Sequence, residues 1–236
     1  YLDSDLWFFA SPDEVVNEIG DAPVAIVPHN FAPRRRKLER FGIYNVGWIT
    51  FRRSDEGTKC LEWWKDSCIE WCYGRIEGDR FADQRYLDRF PSIAPTTAIL
   101  RHKGCNLAPW NVENYTITFK GGDVLVDGSP LIFFHFHGIK KAMRVFYFDN
   151  HRSYGAPHSR TIRNHIYKPY ISALLEAGRL LAGYSSNVGG NGVKLRGARF
   201  GGFDVKNLAR STLRTVYQIA DLLQGRPILV RKSRVI

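Results

Sequence analysis

The chain has 236 residues, 44% hydrophobic and 14% aromatic, enough for the core of one α/β domain or one domain with an appendage, and no apolar run approaches the roughly 20 residues that cross a bilayer. Its net charge of +11 is uneven: residues 1–150 hold 19 Lys and Arg against 20 Asp and Glu, whereas residues 151–236 hold 15 against 3. A near-neutral body with a basic C-terminal part calls for an anionic partner for that part: a membrane surface, a polyanionic acceptor or nucleic acid.

Tyr1-Leu2-Asp3-Ser4-Asp5-Leu6-Trp7-Phe8-Phe9 reads as a buried strand ending in Asp-x-Asp. Residues two apart on a strand share a side, so Asp3 and Asp5 converge. Two convergent carboxylates suit Mg2+ or Mn2+, which in turn can grip a diphosphate. The same short pattern also serves as a solvated strand end or a helix cap. No strand precedes this one and the chain lacks an initiator Met, so it reads as a fragment.

Ser11 caps a short helix with Pro12 in its first position and Glu14 three residues after the cap, and Gly20 stops it. Val24-Ala25-Ile26-Val27 is a compact buried strand that delivers His29 and Asn30 to a loop. The run Arg34-Arg35-Arg36-Lys37 is either a solvated loop or a phosphate contact. Ile43 to Arg53 forms the next strand, and Gly47 inside it asks for a close approach to the backbone. Ser54 caps an amphipathic helix whose stripe of Leu61, Trp64, Cys68 and Trp71 is core packing, ending near Gly74. Cys60, Cys68, Cys72 and Cys105 show no C-x-x-C pair. They read as buried reduced thiols, which fits a reducing cytoplasm.

A short helix over Phe81–Asp88 places Asp83 and Gln84 in its first turn. Ala98 to His102 is strand-like and leads into an irregular polar and aromatic loop with Asn106, Trp110 and Asn111, of the kind that builds pockets. Trp110 and Asn111 can stack on and hydrogen-bond a sugar, and Trp110 reads equally as core. Tyr115–Phe119 and Val124–Val126 flank Gly121-Gly122-Asp123 as a hairpin. The buried strand Leu131–Phe134 delivers His135-Phe136-His137-Gly138-Ile139-Lys140-Lys141. A helix from Pro169 to Ala182 stops at Gly183, a glycine-rich mobile segment covers 184–202, and Asp204 caps a helix over 205–224. Lys206, Arg210 and Arg214 form a basic row on that last helix, which either lies on an anionic membrane or docks on its own domain.

Asp-x-Asp, the Asn45-Val46-Gly47 strand followed by Asp83-Gln84, and the late His-Phe-His-Gly with trailing lysines occur in the order of a known family. Over residues 1–148 the chain resembles the GT-A glycosyltransferases, specifically the glycogenin and lipopolysaccharide-galactosyltransferase-like group of nucleotide-diphospho-sugar transferases. The resemblance implies an α/β GT-A fold with a mixed central sheet flanked by helices, N-terminally truncated. It divides the chain into a catalytic domain over 1–150 and a basic helical extension over 151–236. It implies Asp3, Asp5 and His135 as ligands of Mn2+ or Mg2+, with Asp3 shared with the nucleotide ribose. Lys140 or Lys141 would contact the diphosphate, although the family's Lys-Pro-Trp ending is absent. Asn45 and Gly47 would line the donor sugar site, with a place there for His29 and Asn30 as well, and Asp83 and Gln84 would lie near the anomeric carbon and the acceptor hydroxyl. His137, placed on the opposite face if the strand persists, ranks behind His135, and Gly138 closes the motif.

The implied reaction moves a sugar from a nucleotide diphosphate sugar, a UDP-sugar, to a saccharide or lipid-linked saccharide hydroxyl. The expected setting is cell-envelope polysaccharide synthesis in the cytoplasm, with peripheral membrane contact through 205–224. The units that hold the base in such folds precede Asp-x-Asp, so poor stability and little activity are expected of this chain. Two other classes share its features. Another diphosphate-acting metalloenzyme would release product without an acceptor, and a non-catalytic binder of anionic lipid or polysaccharide would bind without metal and weaken with salt. Nucleic acid is disfavoured, because the arginines form no recognised reading motif and the aromatics fall at core spacing.

Overall fold

The computed structural model describes residues 1–142, 146–187, 227–231 and 234–235. They form a mixed α/β protein of several small sheets and helices. Two compact units emerge, Tyr1–Gly138 with Asn150–Ile162, and Ile139–Asp149 with Arg163–Ile236.

In the first unit, β1 (Leu6–Phe8) leads to helix α1 (Asp13–Ile19) and then to β2 (Val24–Pro28), the centre of the core. β3 (Tyr44–Phe51) pairs with β2 antiparallel. After helix α2 (Asp55–Glu70) and the single turn α3 (Phe90–Ile93), β4 (Ala98–Ile99) pairs with the other edge of β2 in parallel. Successive β2 residues alternate between two apolar clusters. Ala25 and Val27 pack with Val15, Ile19, Leu100 and Phe133, whereas Val24 and Ile26 pack with Ile49, Cys60, Leu87 and Phe90. Burial on both faces is why this strand reads as an unbroken apolar run. Each buried Val or Ile there contributes about 1.5–3 kcal/mol.

The helix ends follow local chemistry. Ser54 caps α2 as expected, its Oγ accepting from Gly57 N–H at 3.2 Å. The cap of α1 is Pro12, not Ser11, and carries no side-chain cap bond; Ser11 Oγ only accepts from Asp13 N–H at 3.4 Å, one residue outside the cap. Glu14 does not close a capping box; its carboxylate lies 2.9 Å from His102 Nε2. The expected hairpin forms as β5 (Ile117–Lys120) and β6 (Asp123–Val126) around Gly121 and Gly122, extended by β7 (Ser129–Pro130). β8 (Phe133–His135) then pairs antiparallel with β1, setting Leu6 opposite His135. Residues 150–162 include the short helix α4 (Arg160–Ile162).

In the second unit, β9 (Lys140–Ala142), β10 (Phe146–Phe148), β11 (Ile228–Arg231) and β12 (Arg234–Val235) form an antiparallel sheet in the order β12-β11-β10-β9. A π-helical turn, Arg163–Tyr167, leads into α5 (Lys168–Asn187). Arg163 donates to the carbonyl of Pro227 at 3.2 Å.

Several expectations are corrected. The first strand starts after Asp-x-Asp, not before it: Leu2 makes only a bridge to Trp48, and Ser4 and Asp5 form a turn. Ser and Asp favour turns because their side chains compete for local backbone groups. On α2 the buried face is Gly57 and Cys60, while Leu61 is exposed. A Cβ at Gly57 would strike the carbonyls of Arg52 and Pro23, so the helix lies so close to the strands that its glycine face turns inward. Phe81–Asp88 is a turn followed by a 3-10 stretch over Arg85–Arg89, not a helix with Asp83 and Gln84 in its first turn. Gly183 does not stop α5, since one helical glycine costs only about 1 kcal/mol. The cysteines are free, but Cys72 is exposed. The glycine-rich stretch beyond 187 and the basic helix over 205–224 lie outside the described residues. No helix among the described residues is long and apolar enough to cross a membrane.

Candidate functional site

Asp3 and Asp5 converge as the sequence suggests, but two different strands hold them. The pairing of β2 with β3 jumps from Ile26↔Ile49 to Val27↔Asn45, so Val46, Gly47 and Trp48 bulge out of register. Bulges of this kind re-aim groups at the edge of a sheet. Freed from β2, this segment pairs with the N-terminal residues: Gly47 O accepts from Asp3 N–H at 3.1 Å, and Trp48 bridges Leu2. Asp5 is tied instead to β8, its carbonyl accepting from Phe136 N–H at 2.8 Å. His135 projects between them, with Nε2 3.1 Å from Asp5 Oδ1 and 3.7 Å from Asp3 Oδ2.

A buried relay of hydrogen bonds sets which ring nitrogen of His135 donates. His29 Nδ1 faces the carbonyl of Ile43 at 3.2 Å, and a carbonyl only accepts, so that nitrogen carries the proton. Burial pushes the His29 pKa down to about 3, so its ring is neutral and Nε2 is an acceptor. Asn45 Nδ2 donates to that Nε2 at 3.2 Å and to Gln84 Oε1 at 3.3 Å. Asn45 Oδ1 accepts from the backbone of Gly47 at 3.0 Å, which fixes which end of the amide is oxygen. The same oxygen accepts a hydrogen bond from His135 Nδ1–H at 3.2 Å. In the neutral ring, the Nε2 lone pair of His135 therefore faces two carboxylates. Lone pairs 3.1 Å apart repel unless a proton or a metal cation lies between them.

The local potential favours a cation. Burial raises the Asp5 carboxyl, and the hydrogen bond and charge of His135 outweigh it, leaving the pKa below the usual value. Burial, together with the charge of Asp3, holds Asp83 above the ordinary carboxylate range. Burial, the bond to Asp3 and the neighbouring charges of Asp3, Asp83 and Asp5 push the phenol of Tyr1 up to about 12. Tyr1 was not singled out by motif; it donates to Asp3 Oδ1 at 3.0 Å, and its position two residues before Asp3 was the signal available.

The remaining candidates separate into supports and surfaces. Gln84 uses both ends of its amide, accepting from Asn45 and donating to the carbonyl of Phe41 at 3.1 Å. Trp110, Asn106 and Asn111 are buried. Trp110 Nε1 and Asn111 Nδ2 each donate to the carbonyl of His29 at 2.9 Å, and Asn106 Nδ2 donates to that of Pro28 at 3.2 Å. They brace the loop carrying His29. Asn30 is exposed and takes the left-handed conformation. Arg34 and Arg35 bond the carbonyls of Gly155 and Tyr154, and Arg34 also pairs with Glu113. Lys140 and Lys141 are on β9 of the second unit, where Lys141 lies over the ring of Tyr147.

His137 is corrected. Residues 135 and 137 are two apart, so an extended strand would put both on one side. The strand ends at His135, and a turn at His137 and Gly138 follows. The ligand atoms of Asp5, His135 and His137 all lie within 4.8 Å of one another.

No family model matches the chain. Two proteins of Bacillus subtilis (strain 168) are similar to it, both described only as uncharacterized: YfnF, 38% identical over 148 residues, 59% of this chain and 49% of that protein, and YfnD, 31% identical over 178 residues, 72% of this chain and 55% of that protein. The chain thus spans about half the length of these curated relatives.

Proposed function

We propose that the chain carries the metal and sugar half of a GT-A glycosyltransferase site, which moves a sugar from a UDP-sugar to a saccharide or lipid-linked saccharide hydroxyl. The observation that carries this reading is the buried imidazole of His135, its Nε2 facing Asp5 at 3.1 Å with Asp3 close by. The ordered motifs around it, from Asp-x-Asp through Asn45, Gly47, Asp83 and Gln84 to the His-x-x-Gly turn, support the assignment to this class. Asp5 and His135, with Asp3 within reach, would hold Mn2+ or Mg2+. Bound there, the ion would supply positive charge to a departing diphosphate.

The residues of the chain do the rest. Asn45 and His29 keep the Nε2 lone pair of His135 turned toward the carboxylates. Gln84 anchors that amide and the backbone at Phe41. Asp83, with its raised pKa, holds a proton more firmly than a free aspartate and so can exchange one with an acceptor hydroxyl. Calorimetric titration of UDP in the presence of Mn2+ tests the reading, with Asp5→Ala and His135→Ala alongside. Metal-dependent UDP binding that both variants lose supports it; metal-independent binding, or none by a chain of the relatives' full length, sinks it.

A further inference from the structure

The Asp-x-Asp reading assigns Asp3 as a ligand and sets His137 aside, yet the three residues whose ligand atoms gather within 4.8 Å are Asp5, His135 and His137. Asp3 is not one of them, and its Oδ1 accepts the phenol hydrogen of Tyr1 at 3.0 Å. His137 owes its place to the turn. Gly138 takes a φ of +75°, and a Cβ there would lie 2.6 Å from Asn150 Nδ2, so only glycine fits. The His137 ring lies edge-on to Trp110 at 5.6 Å and to Tyr154 at 6.2 Å between ring centres. Both neighbours are large and held in place, Trp110 by the carbonyl of His29 and Tyr154 through its carbonyl to Arg35.

The separation of 3.1 Å between His135 Nε2 and Asp5 Oδ1 is that of two adjacent ligands around one ion, given bonds of about 2.1 Å at roughly right angles. His137 adds a second imidazole. One carboxylate with two imidazoles is a borderline donor set, whereas Mg2+ takes oxygen ligands and keeps its waters.

We propose that His137 is a direct metal ligand, completing with Asp5 and His135 a two-imidazole, one-carboxylate site that takes a first-row transition-metal dication over Mg2+, with Asp3 outside the coordinating set. The inference rests on the reading that this cluster holds a metal, but not on glycosyl transfer. His135 is buried, Asp5 half-buried and His137 exposed, so the cluster borders on solvent. The order of affinity runs from Zn2+ and Co2+ through Mn2+ to Mg2+.

The test titrates the 236-residue chain with Co2+ alone, without nucleotide, following heat and visible absorption. His137→Gln, Asp5→Asn and Asp3→Asn are compared, and pulsed EPR of the Mn2+ form counts coordinated imidazole nitrogens. Losing even an outer partner of a ligand weakens metal by about 10-fold, so His137→Gln and Asp5→Asn are expected to weaken Co2+ by that factor or more, and Asp3→Asn by less. The imidazole count falls from two to one in His137→Gln, whose thermal unfolding reports that the exposed substitution leaves the fold intact. Wild-type affinity in His137→Gln, one imidazole in the wild type, equal competition by Mg2+, or no Co2+ binding by the folded chain each overturns it. Two imidazoles with no transfer from any UDP-sugar by a chain of the relatives' full length would leave this inference standing and the transferase reading fallen. Metal-dependent transfer unaffected by His137→Gln would do the reverse.

Discussion

His135 Nδ1 stands 3.2 Å from Asn45 Oδ1, and that bond decides what the other nitrogen of the ring can do. With Nδ1 donating, Nε2 is left as a ligand or as the site of a second proton. Metal-bound histidines are commonly oriented by such a partner, whose loss weakens metal about 10–100-fold. Asn45→Ala is therefore expected to lower Mn2+ affinity within that range in a calorimetric titration. It also strands the buried N–H of Gly47, which costs about 1–3 kcal/mol in denaturant unfolding. Wild-type Mn2+ affinity in Asn45→Ala would show that the relay does not orient His135.

Gly47 occupies the bulge against which this pair packs. A Cβ there would lie 2.5 Å from Asn45 Oδ1 and 2.9 Å from His135 Nδ1, and both atoms are tied into the relay. Gly47→Ala should lose about 1–3 kcal/mol of stability, as overpacked cores do, and lose metal affinity with it. Gly74, with nothing within 4 Å of its Cβ position, is the control; its alanine variant should stay within about 0.5 kcal/mol of wild type. Equal urea midpoints for the two variants would refute the packing argument.

What was legible in the sequence was local. Ser54 caps its helix because a cap needs only the next two or three residues, and Gly121-Gly122 turns its hairpin for the same reason. Val24–Val27 declared burial on both faces through an unbroken apolar run. What escaped depended on distant partners. The bulge that draws Asp3 onto Gly47 needs the register of β2 against β3, which no short pattern encodes. His137 joins the cluster through a turn whose glycine answers to Asn150, twelve positions further along. The loop of Asn106, Trp110 and Asn111 reads as a sugar pocket by composition, yet its side chains are buried and their N–H groups donate to the carbonyls of Pro28 and His29.

His29 makes stability depend on pH. The unfolded chain takes up a proton on this ring near the ordinary value of 6.5, and the folded chain only at about 3. A depressed folded pKa means that its contribution is fully present above 6.5 and is lost as pH falls from 6.5 toward 3. The loss approaches about 1.4 kcal/mol for each pH unit once below the unfolded pKa. Denaturation midpoints measured between about pH 7 and pH 5 should fall for the wild type and hold nearly level for His29→Gln. Parallel curves would mean that His29 is protonated in the folded state, and the relay as drawn would fail.

Asp83 pulls the other way. Burial and the charge of Asp3 raise its folded pKa, so the folded state holds the proton more tightly than the unfolded chain does. Its contribution is therefore greatest at low pH, declines as pH rises from 3.8 through the folded value, and is absent at neutral pH, where the ionised carboxylate is a net burden on the fold. Asp83→Asn removes the charge while keeping the shape, and it relieves the repulsion on Asp3. The variant should unfold at a higher temperature than wild type at pH 7, by about 2–4 °C for each kcal/mol recovered in a chain of this size. The gain should vanish in acid, where the wild-type carboxyl is already neutral. If Asp83 also exchanges a proton with the acceptor hydroxyl, the more stable variant will be the less active one, the pattern of a residue kept at a cost to the fold. A variant that is destabilised at pH 7 would mean that Asp83 is held by hydrogen bonds stronger than the repulsion, and its raised pKa would have to be abandoned.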